Sequence, residues 1–476
     1  MKYFLIFLLI FNFTIYAKSS DKKINEIISQ MTIKEKIGQL FNIAIVGKKL
    51  KPEYKRFIKE YQIGGVTLFN YNIKSERQVR NLVAELQDIS KIPMFISVDQ
   101  EGGRITRYKK GSFWPPSQYF LGRLDDIEIV KKVAEYTAID LTQAGINLNI
   151  APVADILTNI KNKAIFDRSY GNDPKKVSKL VKAYVSSLQR NGVIAVLKHF
   201  PGQGSISQDT HKILPYSNIK KELLFKRDIK PFETVIKDNN AHVIMTSHVI
   251  YSDIDHRYPA TLSKKVLKIL RKDLGYNGIV FTDGLEMTAV LKTFGLEKAT
   301  LLALQGEVDV VTINWDLKNV KRAVFYIEKA LKEKKLTEKQ IDEKLRRILK
   351  VKLDFLYGKR KLKPLNKKEI DRFLYCLYKK GVEFKNTYLK AFKNKKVYTN
   401  LRYFRNSKKI KYLKKIPDNI KGGILVLSSL NLNKSTLKNN LIIYLGPDIG
   451  ISEDLKIVIL NENNHYTGKL VWELIK

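Results

Sequence analysis

The chain carries a single cysteine, Cys376, among its 476 residues. One thiol cannot pair within its own chain, so a disulfide framework is excluded, and so is a cysteine-bound metal site. Histidine is almost as scarce: the 6 present are scattered and lack the spacing of metal ligands. The glycine-rich loops do not match a nucleotide-binding fingerprint, so neither metal nor cofactor is implied. Acidic residues are short as well. Against 87 Lys and Arg stand 47 Asp and Glu, a formal charge of +40. Such an excess invites a nucleic-acid partner, but the lysines are spread over many segments, densest between Lys359 and Lys415, with no recognition motif for nucleic acid among them. The expectation is a solvated lysine surface, with electrostatic association to an anionic wall or membrane surface as its functional use. A membrane-spanning run is missing too. The apolar stretch Tyr3 to Phe11 follows Lys2 and leads to Ile15-Tyr16-Ala17 before Lys18. That is the short pattern of a signal peptide over residues 1–17, not of a spanning helix. Export to the periplasm or the cell exterior is the expectation, with an uncleaved N-terminal anchor as the alternative.

What the sequence does have is alternation. Thr32-Ile33-Lys34-Glu35 reads as a capping box opening a helix through Leu40. Eight short apolar runs follow: Phe41–Val46, Val66–Phe69, Met94–Val98, Leu148–Val153, Ile194–Leu197, Val243–Thr246, Ile279–Thr282 and Val308–Ile313. Patterned helices stand between them, among them Arg77–Ile89, Ile127–Ala144, Pro174–Arg190 and Leu262–Leu274. Apolar runs without alternation predict strands buried on both faces, as in a parallel sheet. Eight strand–helix units argue for an α/β fold of the (β/α)8 TIM-barrel type over residues 18–358. Residues 317 to about 357 read as Lys-rich helix closing the barrel. Lys359–Lys368 reads as a linker, and 369–476 as a small α/β C-terminal region with strands at Gly423–Leu427, Leu441–Leu445 and Lys456–Leu460.

A barrel of this kind carries its chemistry past the C-terminal ends of the strands. The unusual polar residues stand there: Asp99-Gln100-Glu101, Asp155, Lys198-His199, His248, Asp283 and Asn314-Trp315-Asp316. The densest stretch is 193–211, VIAVLKHFPGQGSISQDTH. It passes from a buried strand to Lys198 and His199, turns through Pro201-Gly202, and ends in Asp209-Thr210-His211. An imidazole exchanges protons near neutral pH, and a neighbouring carboxylate fixes its tautomer and raises its basicity.

KHFPGQG followed by DTH resembles the KHFPGHG and DSH signature of glycoside hydrolase family 3, in its exo-β-N-acetylglucosaminidase branch. Gln203 stands where that branch commonly has histidine and Thr210 where it has serine, which bears on rate and loop shape. The resemblance implies a retaining glycosidase, which needs an attacking carboxylate and a proton donor for the leaving oxygen. Asp283, in TDGLEM, matches the nucleophile motif. His211, oriented by Asp209, matches the acid/base. Asp99 in DQEGGR with Arg104 supporting that loop, Arg168 in RSYG, and Lys198-His199 match the elements of the subsite that holds the terminal sugar. Tyr170 replaces a common phenylalanine. Asp155 and His248 fit either a substrate contact or a structural hydrogen bond, and Glu286 reads as a solvated or capping residue on the next helix.

The carbohydrate partner implied is a β-GlcNAc-terminated glycan or muropeptide. A β-glucosidase or other β-glycosidase is the neighbouring alternative, although it would need a carboxylate from the tail. A GlcNAc phosphorylase stays open because a neutral His does not repel phosphate as a carboxylate would. From another class, a non-catalytic wall-binding protein on a decayed barrel would use the basic charge alone.

Overall fold

Thr32 opens the helix Ile33–Gly38 with the predicted capping box: its hydroxyl accepts from the Glu35 amide, while the Glu35 carboxylate accepts from the Thr32 amide. The computed structural model describes residues 20–206, 214–314, 316–357 and 364–381, and five strands between 397 and 459. Residues 1–17, where a signal peptide is expected, lie outside the described residues. Among those that are described, no helix is long and apolar enough to cross a membrane.

The predicted eight-stranded barrel is present. Its strands are β1 (Phe41–Ala44), β2 (Gly65–Leu68), β3 (Phe95–Val98), β4 (Leu148–Asn149), β5 (Ile194–Phe200), β6 (Val243–Thr246), β7 (Ile279–Gly284) and β8 (Val310–Ile313). All run parallel and close in the order β1-β8-β7-β6-β5-β4-β3-β2. Helices cover the outside, so both faces of each strand are buried, which is why the runs do not alternate. Polar side chains inside the barrel satisfy one another across three strands: Asn42 Nδ2 donates to Thr67 Oγ1 at 2.7 Å, and the Thr67 and Ser97 hydroxyls share a hydrogen bond of 2.8 Å.

Several boundaries differ from the sequence expectation, each for a local reason. β4 stops at Asn149 rather than Val153 because Pro152 has no amide to give the ladder, and pairing resumes only as a bridge between Val153 and Lys198. β5 runs on to Phe200, so Lys198 and His199 sit on the strand itself rather than on the loop after it. The helix expected over 262–274 is Lys264–Lys268 continued by a π-helical turn, Ile269–Asp273. Residues 317–357 form two helices, Leu317–Lys332 and Glu338–Leu356.

The expected linker 359–368 lies partly outside the described residues, and its last two residues already belong to a helix, Lys367–Gly381. That helix meets the barrel through Tyr136, whose ring lies edge-on to Phe373 at 5.2 Å and whose hydroxyl donates to Glu369 at 2.7 Å. Beyond it are β9 (Val397–Thr399), β10 (Ile410–Tyr412), β11 (Ile424–Leu427), β12 (Leu441–Tyr444) and β13 (Ile457–Ile459). They form a parallel sheet in the order β10-β9-β11-β12-β13, a doubly wound order. β11, β12 and β13 match the strands expected from the sequence, and β9 and β10 are additional.

Candidate active site

After β3 the chain makes a short antiparallel hairpin, Gln100–Gly102 with Ile105–Thr106. Gly102 sits at φ +106°, and a Cβ there would fall 1.9 Å from the Pro116 carbonyl oxygen, so only glycine lets the hairpin lie this close. The hairpin carries Asp99 and Glu101 against β5. Glu101 is buried, at 2% exposure. Its Oε2 accepts from Arg168 Nε at 2.7 Å, and its Oε1 takes both Arg168 Nη2 at 2.9 Å and Lys198 Nζ at 2.5 Å. Lys198 also donates to Asp99 Oδ1 at 2.8 Å. Burial pushes the Glu101 carboxyl up, but Arg168 and Lys198 outweigh that and hold it at about 2. Burial likewise disfavours the Lys198 ammonium, yet Asp99 and Glu101, against the opposing charge of Arg168, keep its pKa above the ordinary lysine value. The four groups form a fixed alternation of charge, in which buried cations are tolerated because they are paired.

Asp155 is fully buried and serves positioning. Its Oδ2 holds His199 Nδ1 at 2.7 Å, and its Oδ1 accepts from the amides of His199 at 3.3 Å and Gln203 at 2.8 Å. With Nδ1–H given to Asp155, His199 turns Nε2 toward the pocket as an acceptor, 3.5 Å from Arg168 Nη2. The same carboxylate therefore sets the imidazole and the root of the Pro-Gly loop. Asn162 adds a second anchor by donating to the Gln203 carbonyl at 2.7 Å. Asp209 and His211 lie outside the described residues.

Asp283 ends β7 and is partly open to the pocket. Its Oδ1 accepts from the Gly284 amide at 2.7 Å. Burial alone would raise its pKa; His248, His199, the Gly284 amide and Lys198 together bring it below the ordinary aspartate value, so it is ionised at neutral pH. His248 is buried, with Nδ1 2.9 Å from Thr261 Oγ1 and Nε2 donating to the Gly284 carbonyl at 3.0 Å, an arrangement that holds the end of β7.

One residue corrects the sequence expectation. Glu286 is neither solvated nor on the helix, which begins at Thr288; it is 2% exposed and its carboxylate accepts from the Asn314 amide. Arg104 is half exposed and turned to the neighbouring loop, its Nε on Asp167 at 2.5 Å and its Nη2 on the carbonyls of Lys163 and Ala164 at 2.8 and 3.0 Å. Arg107, passed over in the sequence, lines the pocket with its Nε buried and without a hydrogen-bond partner. Spacing alone does not rank it above Arg104; the pairing of Arg104 with Asp167 does.

Asp99, Arg104, Arg168, Lys198, His199 and Asp283 all line one pocket of about 940 Å³, at the C-terminal end of the barrel. Among the described residues no cluster of His, Cys, Asp and Glu is arranged to hold a metal ion.

Residues 32–351 match the glycosyl hydrolase family 3 N terminal domain. The chain belongs to that family. It is 32% identical over 335 residues to beta-hexosaminidase A of Pseudoalteromonas piscicida, an alignment covering 64% of this chain and 55% of that protein. It is 35% identical over 250 residues to the beta-hexosaminidase of Haemophilus influenzae, covering 52% and 70%. This family 3 chain thus spans little more than half the length of the Pseudoalteromonas relative. Among solved structures, a family 3 beta-N-acetylglucosaminidase from Paenibacillus sp. superposes with a TM-score of 0.83 at 25% identity, over 94% of this chain and 97% of that one. The family match ends inside the helix Glu338–Leu356, so the tail sheet stands outside it.

Proposed function

We propose that this family 3 chain is an exported, retaining exo-β-N-acetylglucosaminidase that removes terminal β-GlcNAc from muropeptides or related glycans. The observation that carries the reading is Asp283: an ionised carboxylate, open to the same pocket as the Asp99–Lys198–Glu101–Arg168 network. In this reading Asp99, Lys198 and Arg107 grip the hydroxyls of the terminal sugar, and Asp283 attacks its anomeric carbon to form a glycosyl-enzyme. The leaving oxygen takes its proton from His211, which Asp209 supports and which then activates the water that frees the sugar. That assignment rests on the KHFPGQG and DTH sequence. Export rests on the pattern of residues 1–17, and the +40 charge supports residence beside an anionic wall. The muropeptide preference is supported by Lys161 and Lys163, two exposed pocket-lining lysines with no ion pair among the described residues, which complement peptide carboxylates.

Side-by-side assays test the activity. The secreted protein is expected to hydrolyse an aryl β-N-acetylglucosaminide and to leave the matching aryl β-glucoside nearly untouched. Preference for the glucoside would overturn the reading. Turnover that requires added phosphate would make the enzyme a phosphorylase, and salt-sensitive wall binding with no turnover of any kind would make it a binding protein.

His211 has its own test. His211→Ala is expected to lose on the order of 100-fold or more in kcat/KM on a sugar leaving group, which needs protonation, and far less on an activated aryl one. Equal losses on both substrates would remove His211 from the acid role, and Glu286 would then be the next pocket carboxylate to replace.

A further inference from the structure

Arg107 lines the pocket with its Nε buried and unpartnered, whereas the guanidinium of Arg104 is tied to Asp167 and two carbonyls. A long side chain without a tether of its own points where its backbone sends it. The backbone around Arg107 is held firmly at its near end. The Arg107 amide donates to the Asp99 carbonyl at 3.1 Å. Gln100, 1% exposed, clamps the next residue twice: its Oε1 accepts from the Tyr108 amide at 2.9 Å, and its Nε2 donates to the Tyr108 carbonyl at 3.2 Å.

The far end of the segment 107–113 is seated on a helix, Ile127–Gln143. Asp140 on that helix is 2% exposed, and its Oδ1 accepts from the Ser112 amide at 2.6 Å. One turn earlier, Tyr136 meets the buried Phe113 ring edge-on at 5.5 Å. Gly111 closes the contact: a Cβ there would fall 2.1 Å from Asp140 Oδ2 and 2.5 Å from the Tyr108 ring. Asp140 Oδ2 is buried without a hydrogen-bond partner. Burial pushes this carboxyl up to about 7, against the amides of Ser112 and Phe113 and with Glu76 adding to the rise. A group so placed serves through its acceptor oxygen more than through its charge.

We infer that Asp140 is the positioning residue for Arg107: by accepting the Ser112 amide from behind the pocket, it fixes the segment 107–113 and so aims the guanidinium at the terminal sugar. This rests on the reading of Arg107 as a sugar-gripping residue. Asp140 does not line the pocket, so its effect on substrate passes through the segment it anchors. A binding group works only while its supporting contacts hold it in place, and a small displacement is enough to lose it.

The test is a double-mutant cycle read on an aryl β-N-acetylglucosaminide. Arg107→Ala is expected to lower kcat/KM by about 30-fold, mainly through KM, as a charged hydrogen bond to the sugar is lost in ground and transition state alike. Asp140→Ala should lower it by about tenfold, again through KM, whereas Asp140→Asn keeps an acceptor oxygen and should stay within about threefold of native. The deciding readout is the coupling: in the Arg107→Ala background, Asp140→Ala should cost less than about twofold. Should Asp140→Ala fail to fold, Gly111→Ala forces the same contact apart from the loop side and takes its place in the cycle. An undiminished loss in the absence of Arg107, a loss confined to kcat, or an asparagine variant as impaired as the alanine one would overturn the inference. Failure of the sugar reading looks different: Arg107→Ala would then keep the native KM, and the inference would fall with it. If the native protein turns nothing over, the same cycle is read by calorimetry as Kd for a sulfur-linked, non-hydrolysable GlcNAc disaccharide. Coupled losses there would uphold the positioning role and sink the hydrolase reading, and no binding would sink both.

Discussion

Asp283→Ala is expected to lower kcat on aryl β-N-acetylglucosaminides by about 10⁴-fold or more, on the order of 5 kcal/mol of lost transition-state stabilisation. The size follows from the role: without a carboxylate at the end of β7 no glycosyl-enzyme can form, and water must attack unaided. Stability should move little, because the carboxylate accepts from a single amide, Gly284 at 2.7 Å, and its desolvation offsets part of what the neighbouring cations contribute. Azide adds a second readout. A small anion fits the space left by the side chain, so turnover should partly return, with an α-configured glycosyl azide as product because only one displacement then occurs. Activity above about a tenth of native, or a β-configured azide, would remove Asp283 as nucleophile.

The barrel was legible because its signals are local and repeated. Eight unalternating apolar runs separated by amphipathic helices leave little else to build, and β6 was delimited to the residue. The site was legible only in part. Asp283, Lys198 and His199 announce themselves by standing at strand ends beside glycine or proline. Glu101 stands inside the DQEGGR motif with nothing in the sequence to single it out, although it is the anion that holds both Arg168 and Lys198. A sequence records spacing, not which charges a fold presses together across 67 residues. Arg107 carries no mark in the sequence, and Glu286 reads there as a solvated helix residue, for the same reason. Their significance lies in what their neighbours are already bonded to: Arg104 to Asp167, Asn314 to Glu286. Asp155 fits two roles in the sequence because a buried carboxylate under a histidine looks there like one facing a substrate.

Glu101→Gln should be the most damaging change to the sugar-binding half of the site. Glutamine keeps the shape of glutamate but not its charge, so it strands two buried cations: Arg168 loses a bidentate partner and Lys198 keeps only Asp99. Breaking a buried ion pair from one side costs about 3–5 kcal/mol, since the orphaned charge stays desolvated. The folded protein should be less stable by that order in urea titration, and kcat/KM should fall at least 100-fold by estimate as Lys198 and Arg168 drift from their positions. The pH profile separates charge from shape. The Glu101 carboxyl is held at about 2 in the folded chain against an ordinary 4.5, so its contribution to stability is fully present above the unfolded value and is lost as pH falls from there toward the folded one. Native protein should therefore lose thermal stability steeply on acidification through that interval, and Glu101→Gln should show a shallower loss there. In a double-mutant cycle, Arg168→Gln should cost much less in the Glu101→Gln background than in native protein. Additive costs with parallel pH profiles would mean that solvent, not Glu101, compensates the charge of Arg168 and Lys198, and the proposed sugar site would lose its rigid charge alternation.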